Sequence, residues 1–228
     1  MTFVLYHHPA CPFCRKVRLV LAEKNIPFES VIVEPWKRPA ELRAINPACE
    51  VPVLETPERH LICGHRTICE YINEISTSLY GNYPEVRAET RRLCEWFDDK
   101  FYAEVTVYLA GEKIMRRLCR DGSPNSENIR AGKTNILTHL NYVEWLLKRR
   151  NRLAGETFSM ADITAAAHFS VLDYINEIPW DKEKDGVPLY EETKKWYMRI
   201  KSHPSFEPLL ADRFTGIMPA PHYADLDF

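Results

Sequence analysis

The chain has 228 residues, enough for one large or two small domains, and 45% of them are hydrophobic and 27% charged, as in ordinary globular proteins. A formal net charge of −2 creates no overall field that would draw the chain to nucleic acid or a membrane, no apolar run is long enough to cross a bilayer, and glycine-rich phosphate-binding motifs are absent. The odd number of cysteines, seven, favours a reducing, cytoplasmic compartment over a disulfide framework.

The first predicted elements are a strand, a turn and a helix that begins beside a cysteine. An apolar run over residues 3–6 is followed by a helical pattern with Pro12 in its first turn. Because a thiol at a helix N-terminus lies near unpaired N–H groups and the positive end of the helix dipole, we expect a lowered pKa for Cys11. Cys14 lies one helical turn later, within reach of a disulfide. The pattern is equally compatible with a scaffold turn whose thiols take no part in chemistry. A metal site in which His7 or His8 joins the two thiols is disfavoured, because nothing nearby clearly supplies a fourth ligand or a supporting second shell.

A second strand is predicted over residues 27–34 and a short helix over residues 39–45. The loop between them contains Trp36, Lys37 and Arg38. A tryptophan in a basic, proline-flanked loop is expected to remain partly exposed, where it either anchors a partner or covers the edge of the sheet.

Two motifs that occur in register resemble the glutathione transferase family. The C-x-x-C motif after a strand resembles the opening of the thioredoxin fold. Asn46-Pro47 followed by Val51-Pro52-Val53-Leu54 resembles the N-P-x-x-x-V-P-x-L segment of glutathione transferases. The resemblance implies a cis peptide bond before Pro52 and backbone groups of Val51 that bind a peptide-like ligand beside the Cys11 thiol.

The chain departs from this family at the start of the next predicted helix, residues 66–76. Glutathione transferases usually open this helix with an acidic residue and Ser or Thr, which hold the γ-glutamyl group, whereas this chain has His65 and Arg66. An ammonium group beside two basic side chains loses its counter-charge, so glutathione binding in the family's usual mode is disfavoured. Arg66 still suits a carboxylate, and a sensor of small anions is a further reading.

The rest of the chain resembles the all-helical domain of the same family. Apolar residues recur at helical spacing in two long segments, over residues 93–108 and 136–147. Ser159 and Asp162 match the S-x-x-D capping box that begins the buried helix of that domain. The implied fold class is α/β plus all-α. The chain is divided into a thioredoxin-like domain over residues 1–78, a linker over 79–84, an all-helical domain over 85–211 and an extended tail over 212–228.

Basic clusters near helix ends and the end of the chain are candidate contacts for protein partners. The basic clusters consist of Arg116, Arg117 and Arg120 and of the segment 148–152. Their side chains either complement the helix dipoles or form a surface for an acidic protein. Two prolines argue against helix in the tail. The last residues of the tail are Asp225, Leu226, Asp227 and Phe228. They either fold back over a groove or bind a partner as an extended peptide.

The replaced acidic pair and the tail resemble one subgroup of the family, the glutathione-transferase-like cell-division proteins of α-proteobacteria. That resemblance implies a non-catalytic homodimeric adaptor without a cofactor, located in the cytoplasm at the division site, which binds filaments of the tubulin homologue FtsZ. The tail would contact a further division or wall-synthesis protein, and neither nucleic-acid binding nor membrane insertion is expected. The alternative is a glutathione-dependent transferase or thiol oxidoreductase in which Cys11 forms a mixed disulfide, Cys14 resolves it and Val51 binds glutathione.

Overall fold

The computed structural model describes residues 2–226, and the chain divides into two compact units, of which the first ends at Ser78 and the second begins at Leu79. None of the helices within residues 2–226 is long and apolar enough to span a bilayer.

The N-terminal unit is a thioredoxin-like α/β fold. Its elements are, in chain order, β1 (Phe3–His7), α1 (Pro12–Glu23), β2 (Phe28–Ile32), a 3₁₀ turn (Pro35–Lys37), α2 (Ala40–Ile45), β3 (Val53–Glu55), β4 (Leu61–Cys63) and α3 (His65–Glu74). The sheet has the order β2-β1-β3-β4, with β1 parallel to β2 and the other two pairs antiparallel. A parallel pair needs a crossover connection, and α1 provides it.

Two faces of this sheet are covered by helices. The apolar side of α1 is fully buried, including Val17 and Val20, and α3 contributes Ile68 and Ile72 to the interior. On the other side, Leu42 of α2 packs with Cys49 and Val53 in a small buried cluster. This packing places the N-terminus of α1, the start of β3 and the N-terminus of α3 at one end of the sheet, where residues from all three segments can contribute to one binding site.

The C-terminal unit is helical, which confirms the predicted fold class. A continuous helical run covers residues 84–119, and it comprises α4 (Pro84–Glu95), α5 (Val107–Ala110) and α6 (Arg116–Cys119), joined by wider π-type turns over Trp96–Thr106 and Gly111–Met115. The later helices are α7 (Ser126–Leu147), α8 (Met160–Tyr174), α9 (Glu191–Lys201) and the short α10 (Glu207–Leu210). A two-stranded hairpin, β5 (Glu183–Lys184) and β6 (Val187–Pro188), lies between α8 and α9.

The centre of this unit is α8, in which every residue is buried. The helix is predominantly apolar, which suits the interior, and its buried carboxylates, Asp162 and Asp173, have hydrogen-bond donors there. The predicted capping box is present: the Asp162 carboxylate accepts hydrogen bonds from the backbone N–H and the hydroxyl of Ser159, both at 3.0 Å. It also accepts from the indole of Trp196 at 2.8 Å and from the backbone N–H of Leu153 at 3.1 Å, so the box joins α8 to α9 and to the preceding loop.

The described part of the tail folds back onto the helical unit. The Tyr174 backbone carbonyl accepts from the N–H of Ala220 at 2.8 Å, and the Phe214 ring stacks on the Tyr174 ring with centroids 3.9 Å apart. Tyr223 is fully buried and donates to the carbonyl of Leu209 at 2.9 Å. Contrary to the sequence argument from the two prolines, residues 221–224 form a 3₁₀ turn, because Pro221 occupies a first-turn position where no N–H is needed.

A buried carboxylate fastens this segment. Asp173 of α8 is fully buried, and it lies 3.6 Å from Nζ of Lys201 and 3.0 Å from Nε2 of His222. The Lys201 ammonium is also buried and donates to the backbone carbonyl of His222 at 2.9 Å. We call Asp173, Lys201 and His222 the tail clamp.

Candidate functional site

The thiol turn lies between β1 and α1. Cys11 is the N-cap of α1: its backbone N–H donates to the carbonyl of His8 at 3.0 Å, and its own carbonyl accepts from the N–H of Arg15 at 3.0 Å. Pro12 occupies the first helical position, where its missing N–H costs nothing. Cys11 is partly exposed, whereas Cys14 is completely buried. The partly exposed thiol is therefore the one that can meet a reagent.

The two thiols titrate in opposite directions. The Cys14 thiol donates a hydrogen bond to the Cys11 sulfur, and together with the backbone N–H groups of Cys14 and Phe13 this lowers the pKa of Cys11. Burial raises the pKa of Cys14 well above its ordinary value, and its hydrogen bond to Cys11 adds to the shift. The arrangement favours ionisation of Cys11 over that of Cys14, in the direction that the sequence predicts for Cys11.

The cis peptide bond expected before Pro52 is present. The backbone carbonyl of Pro52 accepts from the N–H of Gly64 at 3.2 Å, and Gly64 is the N-cap of α3 with a positive φ of 87°. This φ lies in a region that favours glycine, so the residue fixes how α3 leaves the sheet. The hydrogen bond thereby ties the cis-proline segment to the start of α3.

The start of α3 carries two basic side chains where the family usually has an acidic residue and Ser or Thr. The His65 ring stacks on the Phe13 ring of α1, with centroids 4.3 Å apart and planes at 21°. Arg66 and Thr67 are exposed. Because the helix N-terminus already bears partial positive charge, this end of α3 favours a carboxylate or another anion and disfavours the ammonium of a γ-glutamyl group.

The Trp36 turn, defined as Trp36, Lys37 and Arg38, is attached to the thiol turn. The half-buried Trp36 ring meets the His8 ring edge-to-face, with centroids 4.8 Å apart and planes at 73°. Its indole nitrogen is buried, and no hydrogen-bond acceptor for it occurs among residues 2–226. Lys37 pairs with Glu34, and Arg38 is exposed in a left-handed conformation at φ 47°. The turn therefore presents cationic side chains around an anchored aromatic ring.

Sequence reasoning missed two residues that organise this site, His8 and Phe13. His8 is buried and contacts both thiol and tryptophan segments: its backbone N–H lies 3.5 Å from the Cys14 sulfur, and its ring packs on Trp36. Phe13 lies between the two cysteines in the sequence and provides the ring on which His65 stacks. The only sequence signal was their position beside or within the C-x-x-C motif.

The predicted arginine cluster of the C-terminal unit is partly committed to internal contacts. Arg116 pairs with Glu112 and donates to the backbone carbonyl of Asp121 at 3.0 Å. Arg117 and Arg120 are exposed, and Arg120 ends α6 in a left-handed conformation. Arg117 and Arg120 are thus the members of this cluster that face solvent.

The second basic segment, residues 148–152, is held against the helices by its own contacts. Arg149 lies over the Trp145 ring at 4.4 Å, and Arg150 donates to Glu89 at 2.6 Å. Lys148 pairs with Glu144 at 3.3 Å. These contacts fit the helix-end interpretation of the segment.

The proposed partner-binding end of the tail is only partly within the described residues. Asp225 and Leu226 are exposed, and Ala224 separates them from the buried Tyr223. Asp227 and Phe228 lie outside the described residues.

The chain belongs to the glutathione S-transferase family: residues 10–75 match its N-terminal domain and residues 109–204 match its C-terminal domain. Within this family, the chain is 46% identical over 229 residues to the FtsZ-localized protein A of Caulobacter vibrioides, an alignment that covers 98% of this chain and 97% of that protein.

Solved structures give the same grouping. A glutathione S-transferase from Rhodospirillum rubrum matches with a TM-score of 0.94 and 46% identity, and FzlA from C. crescentus matches with a TM-score of 0.93 and 44% identity. Both alignments cover all of this chain and all of the matched chain. The resemblance to the glutathione transferase family is thus confirmed, and within it the similarity to FtsZ-localized protein A.

Proposed function

We propose that this protein is a glutathione-transferase-like adaptor that associates with FtsZ filaments at the division site and regulates constriction. The observation that carries the proposal is the 46% identity to the FtsZ-localized protein A over nearly the full length of both chains. The alignment covers 98% of this chain, so both domains contribute to the similarity.

The altered start of α3 supports binding over catalysis. A glutathione transferase has to hold its substrate before it can use a thiolate, and the pair His65 and Arg66 removes the counter-charge for the substrate ammonium. A groove that no longer needs to admit glutathione is free to serve as part of a protein contact.

For the filament contact we propose the Trp36 turn, with the exposed Arg117 and Arg120 and the partly buried Arg116 as further candidates. Tryptophan and arginine are the residues most enriched in the energetic centres of interfaces, and their positive charge suits an acidic filament surface. We propose that the tail end, residues 225–228, binds a further division or wall-synthesis protein. A homodimer would double each surface and raise the avidity for a polymer.

Co-sedimentation with GTP-assembled FtsZ of Caulobacter vibrioides tests the proposal. We expect the purified protein to pellet with filaments and to remain in the supernatant when GDP replaces GTP. The double variant Lys37→Glu/Arg38→Glu should weaken binding by about tenfold. The matched control is Lys182→Glu/Lys184→Glu, which makes the same charge change at exposed positions near the β5–β6 hairpin and should bind like the parent.

Failure of the parent protein to pellet with filaments would refute the FtsZ assignment. Equal loss of binding in the test variant and its matched control would refute the Trp36 turn as the contact. A chain that lacks residues 225–228 should still pellet, because we assign these residues to the other partner. Light scattering after size exclusion tests the homodimer.

The second candidate function is a glutathione-dependent transferase or thiol oxidoreductase. The lowered pKa of Cys11, which the Cys14 thiol and the helix N–H groups cause, favours it. Retention on immobilised glutathione, together with conjugation activity that Cys11→Ala abolishes, would support the enzyme. The adaptor proposal expects neither.

A further inference from the structure

The C-x-x-C motif has no role in an adaptor that binds through its surface, yet it is physically joined to the Trp36 turn. One residue, His8, makes the connection. Its backbone carbonyl accepts from the Cys11 N–H at 3.0 Å, and its backbone N–H points to the Cys14 sulfur at 3.5 Å. Its ring is held in place by the backbone N–H of Ala10, which donates to Nδ1 at 3.2 Å, and packs against Trp36.

The thiol pair has the features of a reactive dithiol. Cys11 is accessible and lies at a helix N-terminus, and Cys14, one turn later, already donates its proton toward the Cys11 sulfur. Cys11 is the thiol that attacks first, because it is the accessible one of the two and its pKa is lowered, whereas Cys14 is buried and its pKa is raised.

We propose that Cys11 and Cys14 form a redox switch in which oxidation by a low-molecular-weight disulfide shifts His8 and, through it, the Trp36 turn, and so weakens partner binding. The binding part of this proposal rests on the proposed function. The shift of Trp36 is a property of the N-terminal unit alone and can be measured without a partner.

The chemistry balances with glutathione disulfide as the oxidant. The Cys11 thiolate attacks one sulfur of the small disulfide, its S–S bond breaks, and one glutathione thiolate leaves. Cys14 loses its proton to this thiolate or to solvent and attacks the Cys11 sulfur, which releases the second glutathione. Two protein thiols are oxidised to one disulfide, and one glutathione disulfide is reduced to two thiols.

The consequence for Trp36 follows from the contacts of His8. Disulfide formation draws the Cys14 sulfur toward Cys11 and away from its position opposite the His8 N–H. The adjoining backbone also carries the hydrogen bond from the Cys11 N–H to the His8 carbonyl, so two backbone hydrogen bonds of His8 are made to residues of the pair. Loss of the His8 and Trp36 ring contact should weaken binding by about three- to tenfold, the worth of one such contact.

The test uses the full chain with Cys63→Ser and Cys119→Ser, which removes the exposed and half-exposed thiols outside the motif. This background protein is reduced with dithiothreitol or oxidised with glutathione disulfide, and small thiols are removed. Intact mass should show the loss of two hydrogens, without a glutathione adduct. Tryptophan emission is recorded for the background and for the same protein with Trp36→Phe, and the difference isolates Trp36 among the five tryptophans.

We expect oxidation to change the Trp36 emission, to weaken FtsZ co-sedimentation three- to tenfold, and to be reversed by dithiothreitol. The control is Cys11→Ser, which cannot start the exchange and should give unchanged emission and binding after the same treatment. Absence of an intramolecular disulfide, a disulfide without a change in Trp36 emission, or a disulfide with unchanged filament binding would each overturn the switch. A reduced protein that binds no filaments would instead refute the proposed function, and the Trp36 emission alone would then decide whether the thiol pair moves the turn.

Discussion

Replacement of Lys201 by Met tests whether the tail clamp determines the stability of the C-terminal unit. Lys201 is 1% exposed, its Nζ donates to the His222 carbonyl at 2.9 Å, and it lies 3.6 Å from the Asp173 carboxylate. Lys201→Met keeps the length of the side chain and removes the ammonium, which leaves a buried carboxylate without its cation. One-sided loss of a buried pair costs about 3–5 kcal/mol.

The structure places the expected cost at the lower end of that range. Asp173 keeps hydrogen bonds from Trp180 at 2.9 Å, from Tyr197 at 3.3 Å and from His222 at 3.0 Å, so its charge remains solvated by donors when the lysine is lost. We therefore expect Lys201→Met to lower the free energy of unfolding by about 3 kcal/mol.

Urea unfolding at pH 7, followed by circular dichroism, measures this value, and limited proteolysis should show faster cleavage of the tail. The double variant with Asp173→Asn should be less destabilised than the sum of the single variants by about 2 kcal/mol, because the two groups interact directly. The control is Lys195→Met on the same helix, whose ammonium pairs with Glu191 and Glu192 at the surface and should change nothing measurable. A cost below about 1 kcal/mol for Lys201→Met, or strictly additive single variants, would refute the clamp.

Two further predictions concern titrating groups. Hydrogen bonds from Arg92, and then from Arg150, lower the pKa of Glu89 to about 2 from an ordinary 4.5, so Glu89→Gln should cost about 1–2 kcal/mol at pH 7 after allowance for solvent screening. A carboxyl group whose pKa is lower in the folded than in the unfolded chain stabilises the fold at pH values above its unfolded pKa. The difference in free energy of unfolding between the parent and Glu89→Gln should therefore shrink as the pH falls from 4.5 toward 2. Urea titrations in which this difference stays constant with pH would contradict the pairing of Glu89 with the two arginines. For the thiols, the pH profile of alkylation by iodoacetamide should place the pKa of Cys11 below its ordinary value, and Cys14→Ala should move it back upward because the strongest lowering hydrogen bond is removed. If Cys14→Ala leaves the pH profile of Cys11 alkylation unchanged, the hydrogen bond from the Cys14 thiol to the Cys11 sulfur is excluded as the cause of the lowered pKa.

The tail clamp also affects the proposal that the tail end and the filament contact bind different partners. Because the clamp and Tyr223 fix residues 213–223 to the helical unit, the exposed Asp225 and Leu226 follow a segment that is held in a defined place. A partner that binds there meets a short peptide with one fixed end, which lowers the ordering cost of binding. A weakened clamp should therefore reduce binding of the tail's partner more than binding of filaments.

The sequence by itself determined the features that depend on local spacing. The S-x-x-D box predicted the start of α8, since a capping box involves residues three apart, and the strand–C-x-x-C–helix pattern placed Cys11 at a helix N-terminus with a lowered pKa. The Val51-Pro52 motif, read through its family resemblance, gave the cis bond. The exchange of the acidic pair for His65 and Arg66 was likewise visible in the sequence alone.

Only the tertiary structure decided which distant side chains meet. His8 contacts Trp36 across 28 positions, Phe13 stacks on His65, and Asp173 reaches Lys201 and His222, and no periodicity predicts such pairs because each depends on how separate elements pack. The tail shows the same limit: its apolar residues were compatible with folding back or with presentation to a partner. As far as Tyr223 the tail folds back, because a buried carboxylate on α8 and the burial of Tyr223 hold it, and these contacts are properties of the packed helices and not of the tail's own sequence.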